Sequence, residues 1–327
     1  MRTLIVLCAD ERIIEKKPLF LNRHPDGKLL AEKSIQGIHA NLYDEIVFTI
    51  LEQVDELYDA SNILNDELGG KYNLKIVSLK TPTRSPAESV YYTLKELKIE
   101  GEFTVRDSLN GIKIDNEMSG NFVAGLDLTS NVEDVFNVKS KSFIVTNEQN
   151  QILDVIEKRF RSDIISVGLY GFKKASDFIM AYEKLNDKNY PIKKLYLSNI
   201  ISYLIGYKER VFHCVAVSFH EDWGSYETWS RIQKKYATFF VDADKMLGTY
   251  YNDEMAEELI KKLMILSNKK TSLVLFTRSS AVDKKKIYNL LDEKKIHCID
   301  FICKVSYSLE QIMISDESDL EKATLGG

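Results

Sequence analysis

The sequence is poor in the residues that mark special structural classes. Its four cysteines show no metal-binding spacing, and its five prolines and 15 glycines form no linker. We therefore expect reduced, buried thiols rather than a zinc site or a disulfide framework. The chain also lacks internal repeats and low-complexity segments. What remains, with 44% hydrophobic and 28% charged residues, is typical of a soluble globular protein.

Two further absences concern membranes and nucleic acids. No apolar run approaches the roughly 20 residues of a membrane span. The start, MRTLIVLCADER, is too short and too acidic at its end for a signal peptide, and it predicts a buried first strand. The net charge is −5 and the basic residues are spread among acidic ones, so no nucleic-acid-binding surface is expected. We expect a cytoplasmic protein without membrane insertion, and the sequence leaves self-association open.

Short apolar runs alternate with amphipathic stretches along the chain, which is the pattern of a sheet covered by helices. A fresh alternation of strand and helix begins near residue 233. At 327 residues the chain can bury two cores, because a single core usually stops growing at about 250–300 residues. We therefore predict two α/β domains, residues 1–232 and a smaller one at 233–327.

Three local patterns give sharper predictions. Ser85-Pro86-Ala87-Glu88 predicts a helix start with Ser85 as the N-cap. Residues 54–68 predict one continuous helix. Residues 211–217 predict a strand that runs into an acidic turn at 221–225.

Carboxylates stand where predicted strands end. Asp222 follows the strand at 211–217, and Asp242 and Asp244 follow the apolar run at 237–241. Carboxylates at strand ends can present a divalent metal to a phosphate, because Mg²⁺ prefers one or two carboxylates together with phosphate oxygens and water. Each pair of strand and carboxylate therefore indicates phosphate chemistry.

The first domain carries more charged residues at strand ends. Asp10, Asp107 and Glu157 each end a predicted strand, which is where ligands of open α/β sheets bind. Arg12 and Lys17 follow the first strand, where they could meet a triphosphate.

Several motifs of the first domain resemble, in order, those of sugar-phosphate nucleotidyltransferases. They are Lys17-Pro18-Leu19, His24-Pro25-Asp26-Gly27-Lys28, Arg106-Asp107-Ser108-Leu109-Asn110, Ile156-Glu157-Lys158, Ser166-Val167-Gly168-Leu169-Tyr170-Gly171-Phe172 and Asp222-Trp223-Gly224-Ser225. The resemblance implies a GT-A-like (Rossmann-like) fold. It implies Mg²⁺-dependent transfer of a nucleoside monophosphate from an NTP to a sugar or polyol phosphate, with release of pyrophosphate. The same resemblance favours CTP as donor and bacterial capsular or surface polysaccharide synthesis as context.

The resemblance also implies roles for single residues. Asp222 would bind the metal, Lys17 would neutralise phosphate charge in the transition state, and the sugar-phosphate pocket would be lined by Glu157, Lys158 and Gly168. Two departures stand out. The family's glycine-rich loop is replaced by the glycine-free residues 8–15, and Leu109 stands where a metal ligand is expected. Asp107 is the candidate that could replace this ligand.

The second domain resembles haloacid-dehalogenase-like (HAD) phosphatases. Asp242-Ala243-Asp244, Leu273-Val274-Leu275-Phe276-Thr277 and Ile312-Met313-Ile314-Ser315-Asp316 follow the order of that family's motifs. The resemblance implies that Asp242 attacks the phosphoryl group and Asp244 moves the proton. Thr277 would hold phosphoryl oxygens, and Asp242 and Asp316 would bind Mg²⁺. However, Lys245 stands where the family favours glycine, and Glu310 where it has a lysine.

Two hypotheses therefore stay open. The first is an active nucleotidyltransferase with an attached HAD-like domain whose phosphatase activity is doubtful. The alternative is a catalytically inactive binding or scaffolding protein, because the glycine-free loop, Leu109, Lys245 and Glu310 depart from both families.

Overall fold

The structure is a computed structural model. It describes residues 1–9, 13–14, 17–130, 138–187, 194–246, 253–267, 271–277, 284–296, 298, 300–303 and 313–314. The chain divides into two compact units, one of residues 1–22 and 30–226 and the other of residues 23–29 and 227–327. The segment 23–29 thus groups with the second unit, although the sequence places it early in the first predicted domain.

The first unit alternates strands and helices. Its strands are β1 (Arg2–Leu7), β2 (Ile13–Ile14), β3 (Lys17–Pro18), β4 (Glu45–Leu51), β5 (Leu74–Leu79), β6 (Glu102–Asp107), β7 (Asn110–Lys113), β8 (Phe122–Asp127), β9 (Ser142–Thr146), β10 (Ile152–Glu157), β11 (Ile164–Phe172), β12 (His213–Ala216) and β13 (Phe219–Asp222). Its helices are α1 (Leu30–Gln36), α2 (Glu52–Tyr58), α3 (Ala60–Leu68), α4 (Pro86–Glu96), α5 (Ala175–Leu185) and α6 (Leu197–Lys208), with 3-10 turns at Leu19–Leu21, Ala40–Leu42 and Val138–Ser140.

The main sheet of this unit has the strand order β10-β9-β11-β6-β1-β4-β5, and β8 pairs with β11 and β12. The strands β6, β1, β4 and β5 are parallel neighbours. Parallel strands covered on both faces are apolar at nearly every position, and all seven residues of β4 are buried. Phe103, Val105 and Phe178 belong to the core between this sheet and the helices α4, α5 and α6.

Two predicted helices of this unit had different outcomes. The helix start at Ser85 is confirmed, because its Oγ accepts a hydrogen bond from the Glu88 amide at 3.3 Å. The prediction of one continuous helix over residues 54–68 is wrong. Asp59 has a left-handed backbone (φ 56°) and separates α2 from α3, and the Asp55 carboxylate accepts from the Ser61 amide and hydroxyl at 2.7 and 2.6 Å.

The acidic segment after β12 also differs from its prediction. Glu221 and Asp222 do not lie in a turn, because they end strand β13. This strand pairs antiparallel with β7, and Asp222 stands opposite Asn110. The pairing joins two segments that are about a hundred residues apart and so places Asp222 near the end of β6.

The second unit is a smaller α/β structure. Its strands are β14 (Ala237–Asp242), β15 (Thr271–Thr277), β16 (Asp300–Cys303) and β17 (Met313–Ile314), and its helices are α7 (Tyr226–Lys234, of which Tyr226 belongs to the first unit), α8 (Ala243–Met246), α9 (Asp253–Ser267) and α10 (Lys284–Glu293). The sheet order is β16-β15-β14-β17, with parallel pairing throughout. Phe239, Val241 and Leu275 lie in its core. Its HAD-like assignment and the domain boundary at residues 232/233 stay predictions.

Among the described helices, none combines the length and the apolar character that crossing a bilayer would require.

Candidate active site

The candidate site lies at the carboxyl end of β6 in the first unit. Asp107 is the last residue of this strand, and its Oδ1 accepts a hydrogen bond from the Leu109 amide at 2.9 Å. The next residue, Ser108, donates from Oγ to the Leu7 carbonyl at 2.6 Å. These contacts fix the loop after β6 beside the end of β1, at the edge where open α/β sheets bind ligands.

The buried guanidinium of Arg106 lies under the segment that follows β6 and bonds to its end. The guanidinium of Arg106 is fully buried and donates to the carbonyls of Ser34 (2.7 Å), Val167 (3.1 Å) and Gly168 (3.2 Å). It also donates to the Asn110 carbonyl and to Asn110 Oδ1, the latter at 2.9 Å. Burial lowers the pKa of Arg106 to about 10, so the group stays charged at neutral pH. One side chain therefore ties together α1, β11 and the start of β7.

Gly168 allows β11 to approach Asp107 closely. Its φ of +78° is a left-handed conformation that favours glycine, and a Cβ built there would lie 2.5 Å from the Asp107 Cβ. Any larger residue would therefore push the two strands apart at the site. The sequence predicts Gly168 in a sugar-phosphate pocket, and the structure places it against the predicted metal ligand.

The second carboxylate of the site is Asp222. Its Oδ1 accepts from the Gly224 amide at 2.8 Å, and its Oδ2 lies 2.8 Å from the ammonium of Lys141. The two side chains are only 10% and 20% exposed. Asp222 therefore lies in a partly buried ion pair at the end of β13.

The segments that follow β6 and β13 are joined by their backbones. The Leu109 amide binds Asp107, and the Leu109 carbonyl accepts from the Trp223 amide at 3.1 Å. The buried Trp223 indole also donates to the Ser108 carbonyl at 2.8 Å. Asp107 and Asp222 thus flank a shared strip of backbone, so both belong to one site.

Glu157 and Lys158 form another wall of the site. Glu157 ends β10, and its Oε2 accepts from Ser142 Oγ and from Ser198 Oγ, the latter at 2.7 Å. Lys158 has a left-handed backbone (φ 54°), and its amide donates to the Lys141 carbonyl at 3.1 Å. The residue that pairs with Asp222 is therefore also bonded to the predicted phosphate-binding segment.

Lys158 is held by an aromatic residue. Its ammonium donates to the Tyr196 hydroxyl at 2.7 Å and lies 4.5 Å from the centre of that ring. The hydrogen bond to Tyr196 raises the pKa of Lys158, which keeps it cationic. The pair presents a fixed positive charge beside Glu157.

Tyr170, on β11, lies near the carboxylates that end β6 and β10. Burial raises the pKa of this phenol, the nearby charges of Asp107 and Glu157 raise it further, and its hydroxyl accepts from Ser166 at 2.9 Å. Two carboxylates from different strands thus act on one half-buried phenol, which stays neutral.

Of the remaining predicted residues of the first unit, Lys17 is described, and it makes no described contact with this cluster. Lys17 lies on β3, which pairs with β2, and its side chain is exposed. Among the described residues its ammonium has no ion-pair partner. Arg12 and Asp10 lie outside the described residues. The roles of Lys17 and Arg12 at a triphosphate stay predictions.

The site offers two carboxylates to a metal. In the described part of the chain no three His, Cys, Asp or Glu side chains converge as a metal site. Leu109 packs against the segment after β13, since its Cβ lies 3.3 Å from where a Gly224 Cβ would be. Asp107 and Asp222 are nevertheless a set that fits Mg²⁺ accompanied by phosphate oxygens and water, which is its usual environment at nucleotide sites.

The second unit has its own cluster at the end of β14. Asp242 and Asp244 are each 4% exposed, and the Asp244 amide donates to Asp242 Oδ1 at 3.0 Å. Thr277, at the end of the neighbouring parallel strand, donates from Oγ1 to Asp244 Oδ1 at 2.7 Å. The structure therefore brings three predicted residues together, whereas Asp316 and Glu310 lie outside the described residues.

Sequence reasoning gave no role to three residues of the first site: Lys141, Arg106 and Tyr196. A charged residue in the interior of a predicted strand is a signal that could have identified Arg106, because a buried charge needs partners. Lys141 and Tyr196 carry no such signal, since both lie outside the periodic part of the elements they precede.

Comparisons with known proteins support the fold. No family model and no curated protein matches the chain. Among solved structures, a nucleoside-diphosphate-sugar pyrophosphorylase from Vibrio cholerae RC9 matches with a TM-score of 0.59 and 18% identity, over 72% of this chain and 100% of that one. The inositol-1-phosphate CTP transferase from T. maritima has a TM-score of 0.53 and 17% identity, over 72% and 97%.

A third similar structure is the CTP:phosphocholine cytidylyltransferase from Streptococcus pneumoniae, with a TM-score of 0.54 and 17% identity over 71% of this chain and 98% of that one. At this identity the likeness shows the fold alone. It confirms a mixed α/β, nucleotidyltransferase-type fold with a mainly parallel sheet, and each of these proteins is covered almost completely.

Proposed function

We propose that the first unit transfers a nucleoside monophosphate from an NTP to a sugar or polyol phosphate. One observation carries this proposal: Lys141 and Leu109 link Asp107, Asp222 and Lys158 into one cluster at the carboxyl edge of the sheet. Carboxylates for a metal and a cation for a second phosphate thus lie side by side, as a reaction between two phosphorylated substrates requires.

In this reaction an acceptor phosphate oxygen bonds to the α-phosphorus of the NTP, and the bond to the pyrophosphate oxygen breaks. Asp107 and Asp222 would hold Mg²⁺, which supplies neutralising charge for the phosphates when bound. Lys158, oriented by Tyr196, binds the phosphate group of the acceptor. Glu157 accepts hydrogen bonds from the hydroxyl groups of the acceptor's sugar or polyol part. Lys17 and Arg12 contact the triphosphate.

CTP is the donor we favour. Two of the structurally similar proteins bear CTP in their names, one acting with inositol 1-phosphate and the other with phosphocholine. The capsular or surface polysaccharide context, and a cytoplasmic location, belong to the same proposal and rest on the sequence resemblance.

Pyrophosphate release tests this function. Purified protein is incubated with each NTP, Mg²⁺ and a panel of sugar and polyol phosphates, and CTP with one acceptor should give release above background. Calorimetry with CTP should show Mg²⁺-dependent binding that is lost in Asp222→Ala. Folded protein that neither turns over nor binds a nucleotide would instead support the inactive scaffold.

A second candidate function is phosphate-ester hydrolysis by the second unit. It is favoured by the contact of Thr277 Oγ1 with Asp244 at 2.7 Å, beside Asp242. Asp242 would be the nucleophile, Asp244 the acid/base, and Thr277 and Asp316 would hold the phosphoryl group and Mg²⁺. Lys245 replaces the small residue of the family, so we expect slow turnover at best.

An assay with phosphate monoesters tests it. Any hydrolysis should vanish in Asp242→Asn, which keeps the shape of the side chain but removes the nucleophilic charge, while the melting temperature hardly changes. Hydrolysis that survives in this variant would belong to another site or to a contaminant.

A further inference from the structure

Lys141 stands between the two halves of the candidate site. Its ammonium lies 2.8 Å from Asp222 Oδ2, and its carbonyl accepts from the Lys158 amide at 3.1 Å. It therefore touches the metal-binding side with its side chain and the acceptor-phosphate side with its backbone. No other lysine of the described residues makes both contacts.

The ion pair occupies an atom that a metal would need. Asp222 Oδ1 already accepts from the Gly224 amide, so Oδ2 is the oxygen that faces a cation, and Lys141 holds it. Both side chains are mostly shielded from water. A partly buried carboxylate that loses its partner is destabilised unless another cation takes that place. Asp222 cannot serve Lys141 and a divalent ion equally well at the same oxygen.

We propose that Lys141 is an exchangeable counter-ion of this site. It neutralises Asp222 in the absence of a divalent cation. When the carboxylate takes such a cation, Lys141 turns its flexible side chain towards the neighbouring phosphate pocket and binds the acceptor phosphate together with Lys158. The acceptor part of this inference rests on the proposed nucleotidyl transfer, whereas the competition at Asp222 does not.

The competition can be measured without turnover. Mn²⁺ is titrated into the full chain without nucleotide, and free Mn²⁺ is read by electron paramagnetic resonance. All proteins in this titration carry Asp242→Asn, so that the second unit binds less Mn²⁺. Lys141→Met should bind Mn²⁺ about tenfold more tightly than the parent, because the competing ammonium is gone. Lys141→Gln should show the same gain.

The matched control is Lys139→Met. Lys139 lies two residues away in the turn Val138–Ser140, is exposed, and loses the same charge, so it should leave the Mn²⁺ affinity unchanged. Adding Asp222→Asn to Lys141→Met should abolish the gain. Equal affinity of parent and Lys141→Met, or a gain that survives without Asp222, would overturn the proposal.

A measurement on the unmodified chain covers the case that the variants fold poorly. Reductive methylation followed by mass spectrometry gives the reactivity of each lysine, and Lys141 should react several-fold faster with saturating Mn²⁺ than without it. Lys139 should not change. A Lys141 rate that ignores Mn²⁺ would contradict the exchange.

Failure of this inference and of the proposed function can be told apart. Exchange at Asp222 together with silence in the pyrophosphate assay would leave the counter-ion role standing and remove nucleotidyl transfer. Transfer with no Mn²⁺ effect on Lys141 would do the reverse. If both hold, Lys141→Met should also raise the KM for the acceptor phosphate more than the KM for the NTP.

Discussion

The two candidate sites hold their carboxylates in different ways. In the first unit, Asp222 is paired with an ammonium 81 residues away in sequence. In the second unit, Asp242 accepts from the amide of Asp244, two residues on, and Asp244 accepts from Thr277 on the adjacent parallel strand. An ion pair between distant segments thus holds Asp222 in the first site, whereas hydrogen bonds at the adjoining ends of β14 and β15 hold the carboxylates of the second.

This difference determines how strongly each site depends on any single partner. A buried or half-buried charge is tolerated only when its partners are in place, and losing one partner is costly. The hydrogen bonds of the second site are in place once the parallel strands β14 and β15 have paired. The first site should therefore be the more sensitive to single substitutions, as the following variants test.

The largest effect is expected from Arg106→Met. This change leaves five hydrogen-bond acceptors in the core of the first unit without their donor, which should cost roughly 3–5 kcal/mol of unfolding free energy. Urea unfolding followed by circular dichroism measures it. Arg210→Met is the control, because Arg210 forms an exposed pair with Asp177 and should lose far less. Equal losses in both variants would refute a special role for Arg106.

The next effect concerns activity. Asp222→Asn should reduce pyrophosphate release roughly 100-fold, since one charged ligand for the metal is lost while the side-chain shape is kept. The matched control is Asp115→Asn, an exposed aspartate 3.9 Å from Lys113, which should keep full activity. Phosphate-ester hydrolysis, where present, should be unaffected by both. Transfer that persists in Asp222→Asn would remove this residue from the site.

A smaller effect is expected at the second site. Thr277→Val leaves a buried Asp244 oxygen without its hydroxyl donor and should cost about 1–2 kcal/mol. Hydrogen exchange read by mass spectrometry should show faster exchange in β14 and β15. Thr277→Ser should restore the protection, and Thr238→Val, at an exposed position of β14, should not change it. A loss in Thr277→Ser as large as in Thr277→Val would point to packing instead.

The same contrast explains what the sequence could predict. The apolar runs at β14 and β15 and the acidic residues that follow them are local signals, so the cluster of Asp242, Asp244 and Thr277 was predictable. The pairing of β7 with β13 depends on a contact between distant segments, and no local pattern encodes it. For this reason Asp222 was placed in a turn, and its partner Lys141 was missed.

Other errors have local causes. The break at Asp59 was missed because the apolar spacing of residues 54–68 continues across it, and a left-handed aspartate leaves no mark in that spacing. Helix α7 was missed although Trp229 and Ile232 are buried three residues apart, because its many charged and polar residues hide the short apolar stripe. The predicted helix start at Ser85 succeeded because capping is a contact within four residues.

The smallest effect tests whether charge also orders the acceptor side of the first site. In Tyr196→Phe the hydrogen bond to Lys158 is lost, so the pKa of Lys158 should fall towards its ordinary value. A raised lysine pKa stabilises the folded state below the unfolded pKa, and this contribution disappears as the pH rises through the folded pKa. The variant should therefore be slightly less stable than the parent near neutral pH. This difference should disappear in alkaline solution, as the pH rises through the pKa of Lys158 in the folded parent. An NMR titration of ¹³C-methylated lysines measures the shift, with Tyr207→Phe, an exposed tyrosine of α6, as control. An unchanged Lys158 titration would mean that Tyr196 packs against the lysine without holding its charge.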